Sequence, residues 1–331
     1  MANIMESSSN PKATELVERG AMFMVSGDHN SAIAVFTEAI RLDPGYAVAY
    51  YNRGASYTAK GDADSAIADF NQAIRFEPNF AAAYYNRGLM YMGKGDLKSS
   101  IADFTQAVRC EPNLALAYNN RGHAYLTLGE FELAIKDFSD AIRVSPDLAM
   151  AYSNRGFTYL SVGEFDLAVS DCNEAVRLDP NFALAYINRA RAHLGNGDED
   201  LAIADCTLAI RLAPEVPDIY FIRATAYHES CENDLAIADC TVAIRLNPDY
   251  MLAYYCRGCA YNEDSEEDLA IADFNEAIRI APDFPMAYFE RGNAYRDKGD
   301  DAKAEANYKE AIRLAPDYED AKNALTELRG R

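Results

Sequence analysis

The hydrophobic residues of this chain recur at helical spacing in short stretches. In the segment from residue 81 to residue 114, Tyr84 and Tyr91 lie two helical turns apart, and Phe104 and Val108 lie one turn apart further along. Apolar residues spaced by three, four or seven positions are typical of an amphipathic helix with one buried face. This segment is therefore predicted to contain two helices.

The residues between the two predicted helices are suited to a turn. Gly95 can adopt the left-handed conformation that ends a helix, and Asp96 can cap the helix that follows. Pro112, followed by Asn113, would stop the second helix. The sequence predicts a helix, a turn and a second helix.

The same pattern recurs every 34 residues. The prolines that share this spacing are Pro44, Pro78, Pro112, Pro146, Pro180, Pro214, Pro248, Pro282 and Pro316. Taking each proline as the thirty-second position divides residues 13–318 into units 13–46, 47–80, 81–114, 115–148, 149–182, 183–216, 217–250, 251–284 and 285–318. Residues 1–12 then form an N-terminal tail, and residues 319–331 are predicted to form a C-terminal capping helix.

A single helical hairpin cannot bury its apolar stripe, so each hairpin must pack on its neighbours. The expected fold is all-α, with helix pairs stacked in a linear array. The positions that recur in the second unit are Tyr50, Gly54, Tyr57, Ala66, Phe70, Ala73 and Pro78. These units resemble tetratricopeptide repeats, whose pattern places such residues at these offsets.

The resemblance implies a right-handed superhelical solenoid of antiparallel helix pairs. It also implies that the first helix of each pair lines a concave groove, and that the function is to bind another polypeptide. At the sixth position of five successive units, which the family directs into the groove, the residue is asparagine: Asn52, Asn86, Asn120, Asn154 and Asn188.

An asparagine amide carries donors and an acceptor, so it can pair with both the N–H and the C=O of an extended peptide backbone. The arrangement resembles the asparagine ladder in the superhelical region of O-linked N-acetylglucosamine transferase. The alternative is that asparagine is merely a tolerated surface residue. Groove candidates beside the ladder are Tyr51, Tyr85, Asn119, His123 and Phe157, and acidic candidates toward the C-terminus are Glu229, Glu263 and Glu290.

A second pattern predicts ion pairs within the units. Arginine occupies the seventh position of every unit, and aspartate occupies the twenty-third position of seven units. These two positions should lie side by side in a helical hairpin. We therefore expect pairs such as Arg87 with Asp103, on which the hypothesis can be tested.

Charge and cysteine content limit the function classes. The formal charge of −21 repels phosphate backbones and anionic lipid surfaces, which argues against nucleic acid and makes a partner with basic segments easier to accept. No signal peptide or membrane-spanning apolar run is expected, and seven cysteines do not suggest a secreted disulfide framework, so the predicted location is the cytoplasm.

No catalytic, cofactor or metal site is predicted. Cys256 and Cys259 form an isolated C-x-x-C pair without a second pair at zinc spacing. The favoured function is a non-catalytic interaction scaffold or adaptor that binds an extended polypeptide in the groove. The alternative is the substrate-recognition or regulatory module of an enzyme complex whose catalytic part is on another chain. The sequence leaves the oligomeric state open.

Overall fold

A computed structural model describes residues 10–330 of the chain. Within this range the structure contains 19 α-helices and no β-strand. The helices are α1 (Pro11–Val25), α2 (His29–Leu42), α3 (Ala47–Ala59), α4 (Ala63–Phe76), α5 (Ala81–Gly93), α6 (Leu97–Cys110), α7 (Ala115–Thr127), α8 (Phe131–Val144), α9 (Ala149–Ser161), α10 (Phe165–Leu178), α11 (Ala183–Asn196), α12 (Glu199–Leu212), α13 (Pro217–Glu229), α14 (Asn233–Leu246), α15 (Met251–Glu263), α16 (Glu267–Ile280), α17 (Pro285–Asp297), α18 (Asp301–Leu314) and α19 (Glu319–Gly330).

The helices belong to two compact units. The first unit ends at Thr158 and the second begins at Tyr159, both within α9. In the first unit, α1 packs on α2, α3 on α4, α5 on α6 and α7 on α8; in the second, the same pairing joins α11 to α12, α13 to α14, α15 to α16 and α17 to α18. The prediction of an all-α fold built from tandem helix pairs is confirmed.

The turn inside a pair has the conformation that its residues predict. Gly95 has a φ of 77°, in the left-handed region that favours glycine. The carboxylate of Asp96 accepts a hydrogen bond of 3.1 Å from the backbone N–H of Ser99, which satisfies one of the free donors at the start of α6. This turn therefore directs α6 back along α5.

In the core of the pair α5–α6, a small residue of the first helix faces a large residue of the second. The ring of Phe104 is fully buried, and a Cβ atom added to Gly88 would lie only 2.9 Å from it. In the second unit, where Cys240 takes the place of the aromatic residue, Ala224 takes the place of the glycine, and both are fully buried in one apolar cluster. The two helices of a pair thus approach closely because the sizes of facing side chains compensate.

The last helix packs on the preceding pair. Ala321 and Leu328 of α19 are buried, and Leu328 lies in a cluster with Ala304 and Tyr308 of α18. The predicted N-terminal tail, residues 1–12, lies outside the described residues except for its last three positions, of which Pro11 and Lys12 already belong to α1.

Candidate functional site

A bidentate ion pair fixes the two helices of a pair against each other. Arg87 donates from Nε to Asp103 Oδ2 over 2.7 Å and from Nη2 to Asp103 Oδ1 over 2.6 Å. The arginine side chain is 18% exposed and the aspartate 7%, so the pair is largely shielded from water. The expected contact between the seventh and twenty-third positions is confirmed. Because the pair is shielded, removing one partner would leave the other charge poorly solvated, which costs more than breaking a surface ion pair.

The same arginine also joins neighbouring helix pairs. Its third nitrogen, Nη1, donates to Asn71 Oδ1 on α4 over 2.5 Å, and its guanidinium lies 5.6 Å from the ring centre of Tyr84. Corresponding ion pairs within the units are Arg53 with Asp69, Arg121 with Asp137, Arg189 with Asp205, Arg223 with Asp239 and Arg257 with Asp273.

This arginine determines where the ladder residue points. Neighbouring residues on a helix are rotated by about 100° around its axis, because one turn takes 3.6 residues. With Arg87 held toward α6, the preceding residue, Asn86, is turned toward the preceding first helix, α3. The second, fifth, sixth and ninth positions of a unit share that face, since they follow the spacing of three, four and seven residues.

The ladder asparagines of the first unit hydrogen-bond to the preceding helix pair. Asn86 donates from Nδ2 to the hydroxyl oxygen of Tyr51 over 2.9 Å, and Asn120 donates to the hydroxyl oxygen of Tyr85 over 3.0 Å. Both groups were expected to contact a partner. The structure shows instead that one amide donor of each asparagine is used to connect adjacent first helices.

These bonds extend into a relay around Asn119. Asn154 Nδ2 donates to Asn119 Oδ1 over 3.0 Å, and Asn119 Nδ2 donates to Asn120 Oδ1 over 3.3 Å. Together with the bond from Asn120 to Tyr85, the relay connects α9, α7 and α5. It orients the asparagine amides before any partner arrives.

Two predicted groove residues are inaccessible. Asn119 and Asn188 are each 1% exposed, so a partner cannot reach their side chains. In Asn119 the cause is its position inside the relay. The expectation that these two side chains face the groove is corrected accordingly.

Other predicted residues of the first unit remain at the surface. Asn52 is half-exposed. The fifth position of the preceding repeat, where Asn86 and Asn120 find a tyrosine, is Val17, which has no polar side-chain atom to accept a hydrogen bond. His123 is exposed and Phe157 is 36% exposed, whereas Tyr51 and Tyr85 are half-buried against the rings of α4 and α6.

The second position of the repeats also contributes to this surface, although it was not among the predicted groove positions. Leu116 and Met150 stand there with 42% and 45% of their surface exposed. The sequence signal for these two residues was the recurrence of an apolar residue at the second position of successive repeats. We define the ladder surface as Asn52, Asn86, Leu116, Asn120, His123, Met150, Asn154 and Phe157 of the first unit.

The second unit has an open cavity of about 500 Å³ on its first helices. All lining residues except Phe284, which directly precedes α17, occupy the second, fifth, sixth, ninth, twelfth or thirteenth position of a repeat, so three successive first helices line the cavity with the same face. They are Phe221, Thr225 and His228 of α13; Leu252, Tyr255, Cys256, Cys259, Asn262 and Glu263 of α15; and Phe284, Met286 and Glu290 at the start of and along α17.

Two of the three predicted acidic residues line this cavity. Glu263 is exposed, whereas Glu290 is half-buried, and desolvation raises the pKa of the Glu290 carboxyl. Asn293 donates to Glu290 Oε2 over 3.1 Å and so holds this carboxyl in place. Glu229 is exposed and does not line the cavity. The pKa of its carboxyl is raised, mainly by partial desolvation and secondly by the negative charge of Glu199.

Basic side chains near the cavity are already paired. Arg191 donates to the carboxylate of Asp218, which also accepts from the hydroxyl of Tyr250. Arg296 donates to Asp297 over 2.9 Å. The cavity itself has no lysine or arginine among its lining residues.

Residues 10–330 contain no cluster of three or more potential metal ligands, and none of the helices in that range is long and apolar enough to cross a membrane. Cys256 and Cys259, the isolated pair, both line the cavity, and burial raises the pKa of the Cys259 thiol.

Comparison with known families agrees with the helix pairs and their repeating contacts. The TPR repeat model matches residues 20–61, 54–95 and 88–129, and tetratricopeptide repeat models match 115–148, 149–182, 187–250, 253–284 and 285–318. The chain belongs to the tetratricopeptide repeat family. No curated protein matches this repeat protein significantly in sequence.

Solved structures share the fold of this tetratricopeptide repeat protein at low sequence identity. The APC/C hetero-tetramer Cut9–Hcn1 is similar with a TM-score of 0.64 and 15% identity, covering 99% of this chain and 78% of that one. A tetratricopeptide repeat protein from Parabacteroides merdae gives 0.57 and 20%, covering 76% and 100%, and the type IV pilus biogenesis factor PilW gives 0.56 and 19%, covering 64% and 98%.

Proposed function

We propose that this chain is a non-catalytic scaffold or adaptor that binds an extended polypeptide on the ladder surface. The observation that carries the proposal is the set of amides held in one orientation at intervals of one repeat. Each ladder asparagine from Asn86 to Asn154 has one donor fixed by the preceding helix pair. A preoriented group loses little conformational freedom on binding, which favours affinity.

The oxygens of two amides are available to a partner. Within residues 10–330, no hydrogen bond reaches Oδ1 of Asn86 or Asn154, and neither oxygen is among the buried polar atoms that lack a partner. Both oxygens are therefore in contact with solvent. They can accept N–H groups of an extended backbone, while Leu116 and His123 contact its side chains.

The experiment compares two double variants of the same helix pair. Leu116→Ala/His123→Ala alters the ladder surface, and Leu128→Ala/Leu133→Ala alters leucines of similar exposure outside it. Each protein is used to capture polypeptides from an extract of the cells that produce it, and the captured chains are identified by mass spectrometry.

We expect specific polypeptides to be lost from the first variant and retained by the second. Retention of the same polypeptides by both variants would place binding elsewhere and contradict the proposal. Recovery of an enzyme that depends on the ladder surface would identify the chain as a recognition module of an enzyme complex. The proposed location is the cytoplasm, where the seven unpaired thiols stay reduced.

A further inference from the structure

We propose that the cavity on α13, α15 and α17 is a specificity site that takes one arginine side chain, together with an apolar neighbour, from a bound polypeptide. This inference rests on the proposed polypeptide-binding function and adds a residue-selective site in the second unit.

The register of the lining residues argues for a polypeptide occupant. Leu252, Tyr255, Cys256 and Cys259 occupy the second, fifth, sixth and ninth positions, which are the positions that form the ladder surface in the first unit. A segment lying on the first helices of the second unit would therefore pass over the cavity. The cavity volume, about 500 Å³, exceeds what a single small side chain would fill, so the proposed occupant includes an apolar residue next to the arginine.

The charges argue for a cation. Glu263 and Glu290 both line the cavity, and no lysine or arginine lines it. The one basic side chain in the lining is His228, whose Nδ1 lies 3.6 Å from Glu263 Oε2, so Glu290 is the carboxylate without a basic neighbour in the lining. Arg296 of α17 is engaged by Asp297, and Arg191 of α11 is engaged by Asp218 of α13. A carboxylate in apolar surroundings is costly unless a charge or donor pairs with it, so an entering cation gains more here than at the open surface.

Glu290 is positioned as a fixed acceptor. Asn293 Nδ2 donates to its Oε2, and Asn293 Oδ1 in turn accepts from the hydroxyl of Tyr308 over 2.8 Å. Because Tyr308 is fully buried, this chain of bonds is anchored in the core. Glu290 Oε1 accepts no hydrogen bond among residues 10–330 and can accept one from an incoming N–H group.

The aromatic lining favours arginine over lysine. Tyr255 and Phe284 meet edge to face with ring centres 5.2 Å apart, and Phe221 lies on the neighbouring helix. A planar guanidinium can stack on aromatic faces while it donates to carboxylates, whereas an ammonium is more strongly hydrated and lacks a plane.

The test uses a phage library of random twelve-residue peptides selected on the whole chain. Selections are run on the wild type, on Glu263→Gln/Glu290→Gln, and on Asp234→Asn/Glu267→Gln. The last variant removes the same amount of charge at two residues of second helices that do not line the cavity. We expect arginine next to an apolar residue to be enriched on the wild type and on this control, but not on the cavity variant.

The affinity of one selected peptide then measures the effect. Replacing its arginine by citrulline is expected to weaken binding to the wild type about 10-fold or more, because a charge-assisted hydrogen bond is lost. The same replacement should change binding to Glu263→Gln/Glu290→Gln much less. Since the chain has no tryptophan, Phe284→Trp supplies a single indole whose fluorescence should change on titration with the arginine peptide.

Selection of peptides without arginine, or equal binding of arginine, lysine and citrulline forms, would overturn the inference. If peptides without arginine still required Leu116 and His123 for binding, the proposed function would remain supported. Failure to select any peptide on the wild type would contradict both.

Discussion

The fit between Gly88 and Phe104 shows how little space a first helix has at its contact with the second. A Cβ atom at residue 88 would lie 2.9 Å from the phenylalanine ring, and the next nearest atoms lie at 3.1 and 3.3 Å. Gly93, at the end of the same helix, has no atom within 4 Å of its hypothetical Cβ. A side chain at residue 88 would therefore clash with the second helix, whereas a side chain at residue 93 would not.

We expect Gly88→Ala to lower the free energy of unfolding by about 1 to 3 kcal/mol, because the added methyl group overpacks the contact. Gly93→Ala should leave stability unchanged or raise it by up to about 1 kcal/mol, since alanine is the better helix former. Urea unfolding followed by circular dichroism measures both. Equal effects of the two substitutions would show that the close contact with Phe104 does not limit this position.

The Glu290 carboxyl gives a second prediction for a single residue. Desolvation raises its pKa above the ordinary 4.5, Glu263 and Asp297 act in the same direction, and Asn293 and Arg296 oppose the shift. The folded chain therefore holds this proton more tightly than the unfolded chain. The ionised carboxylate costs stability above the unfolded pKa, and this cost disappears as the pH falls below it.

We accordingly expect Glu290→Gln to raise the melting temperature at neutral pH. The difference from the wild type should shrink as the pH is lowered toward about 4, where the wild-type carboxyl becomes protonated in both states. Melting curves of the two proteins across this range provide the measurement, and Glu267→Gln is the control. A variant that is less stable than the wild type at pH 7 would argue that Glu290 is a structural ion-pair partner instead.

Individual contacts differed in how well the sequence predicted them. The pair of Arg87 with Asp103 was predictable because both residues recur in register within one hairpin, whose geometry is known. The bond from Asn86 to Tyr51 was not, because it depends on how one hairpin is rotated against the previous one. The burial of Asn119 depends on the equivalent contact with Asn154 of the following pair, and it was missed for the same reason.

At the scale of the helix pair, the turn between the two helices varies in strain. Seven of these turns place a glycine at positive φ, but Cys231 and Ser265 adopt a φ of 60° in the turns of α13–α14 and α15–α16. Residues with a Cβ atom pay roughly 1 kcal/mol or more for the left-handed conformation. The pairs that form the cavity therefore contain the two least favourable turns among residues 10–330.

Cys231→Gly and Ser265→Gly should each raise the free energy of unfolding by about 1 kcal/mol, because glycine adopts this conformation without steric cost. Cys231→Ala and Ser265→Ala are the matched controls, since they remove the thiol or hydroxyl but keep the Cβ atom. Urea unfolding midpoints measure the four variants. If the alanine variants gained as much as the glycine variants, the side-chain polar groups and not the backbone would cause the effect.

The elements were the part of the structure that the sequence predicted best. The turn at Gly95 and Asp96 was readable from two residue types with known conformational preferences. The cavity was not predictable from the list of its residues. It requires that Phe221, Tyr255 and Glu290 come together from three helices, whereas the sequence indicated only that Glu229, Glu263 and Glu290 are acidic groove candidates.

At the scale of the whole molecule, an excess of 21 negative charges opposes compaction. The repeated ion pairs do not offset this excess over long distances, because each joins one positive to one negative group. Their side chains are largely shielded, as the exposures of 18% and 7% for Arg87 and Asp103 show. Salt should therefore screen the long-range repulsion more than it weakens these pairs.

We expect the melting temperature to rise by a few degrees between about 10 mM and about 150 mM NaCl at pH 7, because the Debye length falls from roughly 30 to 8 Å. Near the isoelectric point of about 4.6, where the net charge vanishes, the same change in salt should have little effect. Scanning calorimetry under both conditions measures the difference. A melting temperature that falls with salt at pH 7 would mean that exposed pairs such as Arg329 with Glu305 stabilise the chain more than its net charge destabilises it.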